Sequence, residues 1–336
     1  LGAMRTRRTT VALLTLALAA AGLAPPAAAE EAEPRGPGFA WYLIGDEADV
    51  TPVTSPGYAL MGGGRSVAAA FRWLVRRGGN GDVVVLRASQ ADEYNRYIDG
   101  LEPMDSVETI VFSTRDASYD PFVLSRIRAA DALFIAGGDQ SNYARMWDDT
   151  PVEDAIEELA FRGVPIGGVS AGLAILGEYA FTARKGTISS PAALSKPYHE
   201  RMTVDGTFLQ LPGLENLITD SHFFERHRQG RLVAFLARIV GDGHETQARG
   251  LGIDQGTAVL VEADGSSRVV GDRAAWFIET TGTPEHLEPR DPLTYTGLRG
   301  YLVEQGGTFD FATWTGTGGR PFVISAVEGD LVIEPA

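Results

Sequence analysis

Short apolar runs alternate along the chain with stretches that place apolar residues at helical spacing. Phe39–Ile44, Tyr58–Met61, Val83–Leu86, Val107–Phe112, Ala132–Ala136 and Val164–Val169 are of strand length, and several are almost entirely apolar. Strands that lack polar alternation are those buried on both faces of a parallel sheet. Between them Ser66–Arg77, Gln90–Leu101, Pro121–Ala130 and Val152–Arg162 read as helices, the first stopped by Gly78-Gly79. This alternation predicts an α/β fold, a three-layer, doubly wound, mostly parallel sheet with helices on both faces. Phe223–Val240 predicts one more helix, with Leu232, Phe235, Leu236 and Ile239 on its buried face. Beyond it Thr257–Glu262, Arg268–Val270, Ala274–Glu279 and shorter segments up to Ile333 are β-like and punctuated by Gly and Pro. The expected organisation is an α/β body over residues 30–280 and a β-rich extension over 281–336, with 281–290 as the linker candidate.

The N-terminus departs from this texture. Arg5, Arg7 and Arg8 precede an apolar run from Val11 to Ala24, and Ala27-Ala28-Ala29 closes it. A basic head, a short apolar stretch and an A-x-A ending predict a secretory signal over 1–29, cleaved after Ala29. The run is short and Ala-rich for a membrane span, so no stable membrane insertion is expected after cleavage. The expected location is extracellular or periplasmic.

Composition narrows the chemistry. The formal net charge of −15 argues against sequence-independent nucleic-acid binding, which needs a basic footprint. There is no cysteine, which removes thiolate nucleophiles and Cys-ligated zinc. Covalent catalysis would therefore fall to Ser, Thr, Lys or a carboxylate, and no metal or cofactor is expected.

Gly168-Val169-Ser170-Ala171-Gly172 follows an apolar strand and precedes the helical run Leu173–Leu176. A nucleophile at such an elbow sits in a tight turn that needs small neighbours. The helix start behind it favours developing negative charge, which makes Ser170 the candidate nucleophile and the Ala171 amide a candidate oxyanion donor. Gly137-Gly138-Asp139-Gln140 also follows a strand, and its paired glycines let a backbone amide, that of Gly138, serve as second donor. Of the five histidines, His222 ends an apolar approach, Leu217-Ile218-Thr219, and is the first candidate for the base. Arg226, Arg228 and Arg231 follow; cations at a helix start oppose the dipole, which suggests capture of carboxylates. Gly62-Gly63-Gly64-Arg65-Ser66 lacks the P-loop lysine and the third Rossmann glycine, and reads as a turn.

Taken in order, GGDQ at 137–140, GxSAG at 168–172 and DxHFxxRxRxGR at 220–231 resemble the cyanophycinase family of serine peptidases, which is related to aspartyl dipeptidases. The resemblance covers about residues 38–280. It implies a core like that of class I glutamine amidotransferases and an exopeptidase reaction on cyanophycin or related β-aspartyl peptides, releasing β-Asp-Arg. It implies Ser170 as the attacking residue, His222 as base, and Gln140, Asp220, Arg226, Arg228 and Arg231 around the substrate. The reading is compatible with a homodimer.

Two departures from the pattern shape the remaining expectations. The resemblance leads one to seek the triad acid between nucleophile and base, yet Tyr179–His199 holds no Asp or Glu. Glu178 and Glu200 flank that gap, so the acid is one of these or absent. Ser221 also stands where cyanophycinases carry Gln. The gap motivates a second reading, an exported binder of Asp- or Arg-rich peptides with weak or lost turnover. The elbow alone motivates a third, an α/β-hydrolase esterase with His286 as its late histidine.

Overall fold

The computed structural model describes residues 36–206 and 208–336; the signal segment over 1–29 lies outside them. In chain order the first half comprises β1 (Phe39–Gly45), β2 (Gly57–Met61), α1 (Ala68–Arg77), β3 (Asp82–Arg87), α2 (Glu93–Asp99), β4 (Ser106–Phe112), α3 (Pro121–Ala129), β5 (Ala132–Ile135), α4 (Gln140–Trp147), α5 (Pro151–Phe161) and β6 (Ile166–Val169). Then come β7 (Ala180–Phe181), α6 (Ser190–Ser195), β8 (Val204–Asp205), β9 (Leu217–Asp220), α7 (Gln229–Gly241), β10 (Arg249–Ile253), β11 (Thr257–Glu262), β12 (Ser266–Gly271) and β13 (Ala274–Glu279). The chain ends with β14 (Tyr295–Glu304), β15 (Thr308–Asp310), β16 (Thr315–Thr317), β17 (Arg320–Val327) and β18 (Asp330–Pro335).

The main sheet runs β1-β4-β3-β5-β6-β2-β11-β12-β15-β16. The pairs from β4 through β2 are parallel, and β1 and the strands from β11 onward join antiparallel. The unbroken apolar runs have the predicted cause, burial on both faces. Val84, Leu86, Leu133 and Ile135 pack with Val123 and Ile127 of α3 and Ile156 of α5. Their alternating neighbours Val83, Val85, Ala132 and Phe134 pack with Phe71 and Leu74 of α1 and Ile98 of α2. Helices therefore cover both faces, as the alternation requires.

A second sheet, β18-β17-β14-β13-β10-β9, is parallel only between β9 and β10. The β-rich stretch after residue 281 is built into both sheets: β14, β17 and β18 continue the second, and β15 and β16 end the first. Residues 281–290 connect β13 to β14, which are neighbours in one sheet. Leu232, Phe235, Leu236 and Ile239 of α7 are buried against Ile278, Leu298 and Ile324, each contributing roughly 1.5–3 kcal/mol of hydrophobic stabilisation.

One helix expectation is corrected, and one helix was not foreseen. The helix foreseen from Phe223 begins at Gln229. Residues 222–228 form a turn instead, because His222 and His227 have φ of +45° and +50°, outside helical space. Tertiary bonds hold that turn: Phe223 N donates to Ile253 O at 3.1 Å and Phe224 N to Asp254 Oδ1 at 3.0 Å. Conversely, the stretch after Gly138 is the helix α4, capped by Asp139, whose Oδ1 accepts from Ser141 N at 2.9 Å. The glycine pair before it hides a helix start that the Asp cap signals.

Candidate active site

Three neighbouring strands of the main sheet, β5, β6 and β2, end at one edge, followed by Ala136-Gly137, Ser170 and Gly62. Loops at the carboxyl ends of parallel strands are where α/β sheets bind ligands. Ser170 follows β6 with φ +55°, a left-handed conformation rarely taken by residues other than glycine. The elbow cannot widen. A Cβ on Gly172 would come 2.1 Å from Ile135 O, and one on Gly168 2.7 Å from Gly172 O. Ser170 N donates to Met61 O at 3.0 Å, and Ala174 N donates to Ser170 O at 3.0 Å as the chain enters a short 3₁₀ turn.

His222 leaves the end of β9, and its amide donates to Gly62 O at 2.7 Å. Its ring is buried with Nε2 2.7 Å from Ser170 Oγ. The foreseen nucleophile and base are thus in hydrogen-bond contact. His286, the late alternative, instead meets Asp291 Oδ2 at 3.2 Å on the surface, so the esterase arrangement loses its base. Gly63 explains why the glycine run is more than a turn. With φ +94°, it lies where a Cβ would sit 2.6 Å from His222 Nε2 and 3.1 Å from Ser170 Cβ.

The other ring nitrogen, Nδ1, faces Gln255 Nε2 at 2.8 Å. This corrects the search for an acid between nucleophile and base. Glu178 accepts from the Asn216 amide, and Glu200 is exposed; among the described residues no carboxylate hydrogen-bonds the His222 ring. Gln255 follows β10, and its own amide donates to Glu225 Oε2 at 3.1 Å. Burial lowers the His222 pKa to about 4, aided by Arg226 and Arg228 and opposed by Glu225 and Asp220. The ring is therefore neutral at pH 7.

Asp220 and the arginines divide into two groups. Asp220 and Arg231 are each 2% exposed. Arg231 Nε donates to Asp220 Oδ2 at 2.6 Å and its Nη2 to Oδ1 at 2.5 Å, a bidentate pair. Arg228 Nη1 adds a bond to Oδ1 at 3.0 Å. Burial alone would raise the Asp220 pKa, but the two guanidiniums hold it below the usual carboxylate range. The expectation that Asp220 contacts substrate is corrected: it lies under the arginines, outside the cavity wall, because both its oxygens are occupied.

The cavity holds about 570 Å³ and is lined by Gln140, Arg145, Arg226, Arg228 and Arg231, with Gly138 at one side. Gly138 of this wall follows Gly137, where a Cβ would lie 3.4 Å from Ser170 Cβ, so the glycine pair stands between the cavity and Ser170. Arg145 went unnoticed in the sequence because it becomes part of the wall only through α4. Arg228 and Arg231 are tied to Asp220, whereas Arg226 is exposed and has no carboxylate partner among the described residues. The amides of Gly138 and Ala171 likewise have no acceptor among the described residues, as donors kept for an oxyanion would. No group of three or more His, Asp or Glu among the described residues is placed to hold a metal ion.

Comparison with known proteins identifies the family. The model of peptidase family S51 matches residues 87–269. A cyanophycinase of Trichormus variabilis is 31% identical over 222 residues, covering 64% of this chain and 69% of that protein. A cyanophycinase of Synechococcus elongatus is 28% identical over 213 residues, covering 62% and 61%. The crystal structure of a peptidase from an acI-B1 Actinobacterium superposes with a TM-score of 0.52 at 17% identity, covering 76% of this chain and 97% of that one, which shows a shared fold.

Proposed function

The chain belongs to peptidase family S51, and on that premise we propose that this serine-type peptidase hydrolyses cyanophycin or related β-aspartyl peptides, releasing β-Asp-Arg. The contact that carries the reading is the 2.7 Å approach of Ser170 Oγ to His222 Nε2, beside a cavity walled by arginines. In the proposed reaction Nε2 takes the serine proton as Oγ attacks the scissile carbonyl. The carbonyl oxygen becomes an oxyanion held by the Gly138 and Ala171 amides. Collapse breaks the C–N bond, and the imidazolium returns its proton to the leaving amine. Water, deprotonated by the same nitrogen, then releases the acyl group from Ser170. Arg226, with support from Arg228, is assigned to the aspartate carboxylates and Gln140 to the polar substrate backbone.

Export completes the proposal, motivated by the basic head, apolar run and Ala-x-Ala ending of residues 1–29. The test incubates the chain from Glu30 onward with insoluble cyanophycin and measures soluble dipeptide by mass spectrometry, with Ser170→Ala alongside. Release by wild type alone supports the reading; equal release by both sinks it. The neutral partner of His222 favours a second reading, a peptide binder with very slow turnover. Polymer binding without any release at high enzyme concentration would select it.

A further inference from the structure

The imidazole of His222 has one hydrogen-bond partner at each nitrogen: Ser170 Oγ at Nε2 and the Gln255 side chain at Nδ1. A neutral imidazole carries one proton, so only two arrangements satisfy both contacts. With the proton on Nδ1, Gln255 presents Oε1 and Nε2 offers its lone pair to the serine hydroxyl. With the proton on Nε2, Gln255 presents its NH₂ to Nδ1, and the ring donates to Ser170 Oγ. The second arrangement has no acceptor for the serine proton. A carboxylate at this position would allow only the first, because it has no donor, whereas an amide allows both.

The structure has Gln255 Nε2 facing Nδ1, the non-reactive arrangement. No protein donor among the described residues holds Gln255 Oε1, so turning the amide breaks no other protein contact. Among the described residues no carboxylate takes the place of Gln255 at Nδ1. Both Asp254 oxygens are taken, Oδ1 by Phe224 N and Trp276 Nε1 and Oδ2 by Ala274 N. Glu225 is engaged with the Gln255 amide and Arg273, and Asp220 with its two arginines. Arg226 and Arg228 oppose a charge on the ring.

We propose that Gln255 is a positioning residue that limits turnover by choosing the His222 tautomer, holding the resting dyad with its proton on Nε2. Reaction then begins when the amide turns over and the proton moves to Nδ1, leaving Nε2 free to accept from Ser170. The proposal rests on the reading of Ser170 and His222 as nucleophile and base.

Two measurements test it. Nitrogen-15 spectra of the resting wild-type chain should report His222 protonated at Nε2 and bare at Nδ1; a ring protonated at Nδ1 overturns the proposal. In Gln255→Glu the proton should sit on Nδ1, and kcat/KM should rise by at least about tenfold with KM little changed, since tautomer and imidazolium stabilisation together are worth up to about 10⁴ in such triads. The limb of the pH–rate profile set by the base should also move to higher pH, because a carboxylate favours the protonated ring. Full activity in Ser170→Ala would instead refute the underlying assignment of the nucleophile. Ser170-dependent activity with no gain and no pH displacement in a folded Gln255→Glu would refute only the role of Gln255. Should that variant not fold, the wild-type spectra decide alone.

Discussion

Replacing Asp220 by Asn tests how far the site depends on one buried carboxylate. Asp220 accepts from Arg231 at 2.6 and 2.5 Å, from Arg228 at 3.0 Å and from the Ser221 amide at 2.9 Å. Asparagine keeps the shape but loses the charge and one acceptor, leaving the guanidinium of Arg231, itself 2% exposed, without a counter-ion. Breaking a buried ion pair on one side costs about 3–5 kcal/mol, because the remaining charge stays desolvated. For a chain of this size that lowers the unfolding temperature by on the order of 10 °C. Urea unfolding monitored by tryptophan fluorescence measures the loss, and Asp220→Leu combined with Arg231→Met should recover part of it. Because the folded Asp220 pKa lies below its unfolded value, its contribution is present above about pH 4 and fades as pH falls through the folded pKa. Asp220→Asn should therefore flatten stability against pH in that acidic window. Activity should fall too, since Asp220 stands two residues before His222 and anchors the turn that carries it. A loss under 1 kcal/mol (~1) with unchanged acid sensitivity would refute the reasoning that this ion cluster is a structural base for the site.

His222 has a folded pKa lowered from 6.5 to about 4, so the unfolded chain takes up this proton first. Its contribution, up to roughly 3 kcal/mol, is present above the unfolded pKa and lost as pH falls through the folded one; His222→Gln should remove that dependence in pH-resolved denaturation. In Gly63→Ala the new methyl would lie 2.6 Å from the imidazole, so turnover should drop by about 10²-fold through displacement of the base, read by steady-state kinetics beside an intact circular dichroism spectrum. Arg226→Met should raise KM by roughly tenfold or more with kcat nearly preserved, the expected loss of a charge-assisted contact. Because Arg226 is exposed and lacks a carboxylate partner among the described residues, the unfolding temperature should stay unchanged; a large stability loss would argue against a ligand-facing role.

Much of the fold could be read from residue order because its signals are local. Buried parallel strands announce themselves as unbroken apolar runs, and the elbow around Ser170 needs small residues whatever surrounds it. The segment from Asp220 to Arg231 was recognisable for the same reason, as its residue types stand together. Its conformation was not. The helical periodicity that begins at Leu232 extends by pattern alone back to Phe223, whereas bonds from Phe223 and Phe224 to β10 and Asp254 hold the chain in a turn.

Gln255 marks the boundary between the two kinds of information. It lies 33 residues beyond His222, with α7 and β10 between, and no local pattern ties the two together. Parallel pairing of β9 with β10 sets Asp220 opposite Gly252, so the residues just past each strand emerge at the same sheet edge. The stretch searched for an acid, meanwhile, supplies Thr187, Ile188 and Ser190 to the cavity wall. Residue order alone therefore determined the α/β frame, the candidates Ser170 and His222 and the arginine cluster, because strands, elbows and charge runs are written in neighbouring residues. Which group meets Nδ1 of His222, which arginines are neutralised by Asp220 and which one is left without a carboxylate were decided by strand register and burial, which depend on residues far apart in the chain.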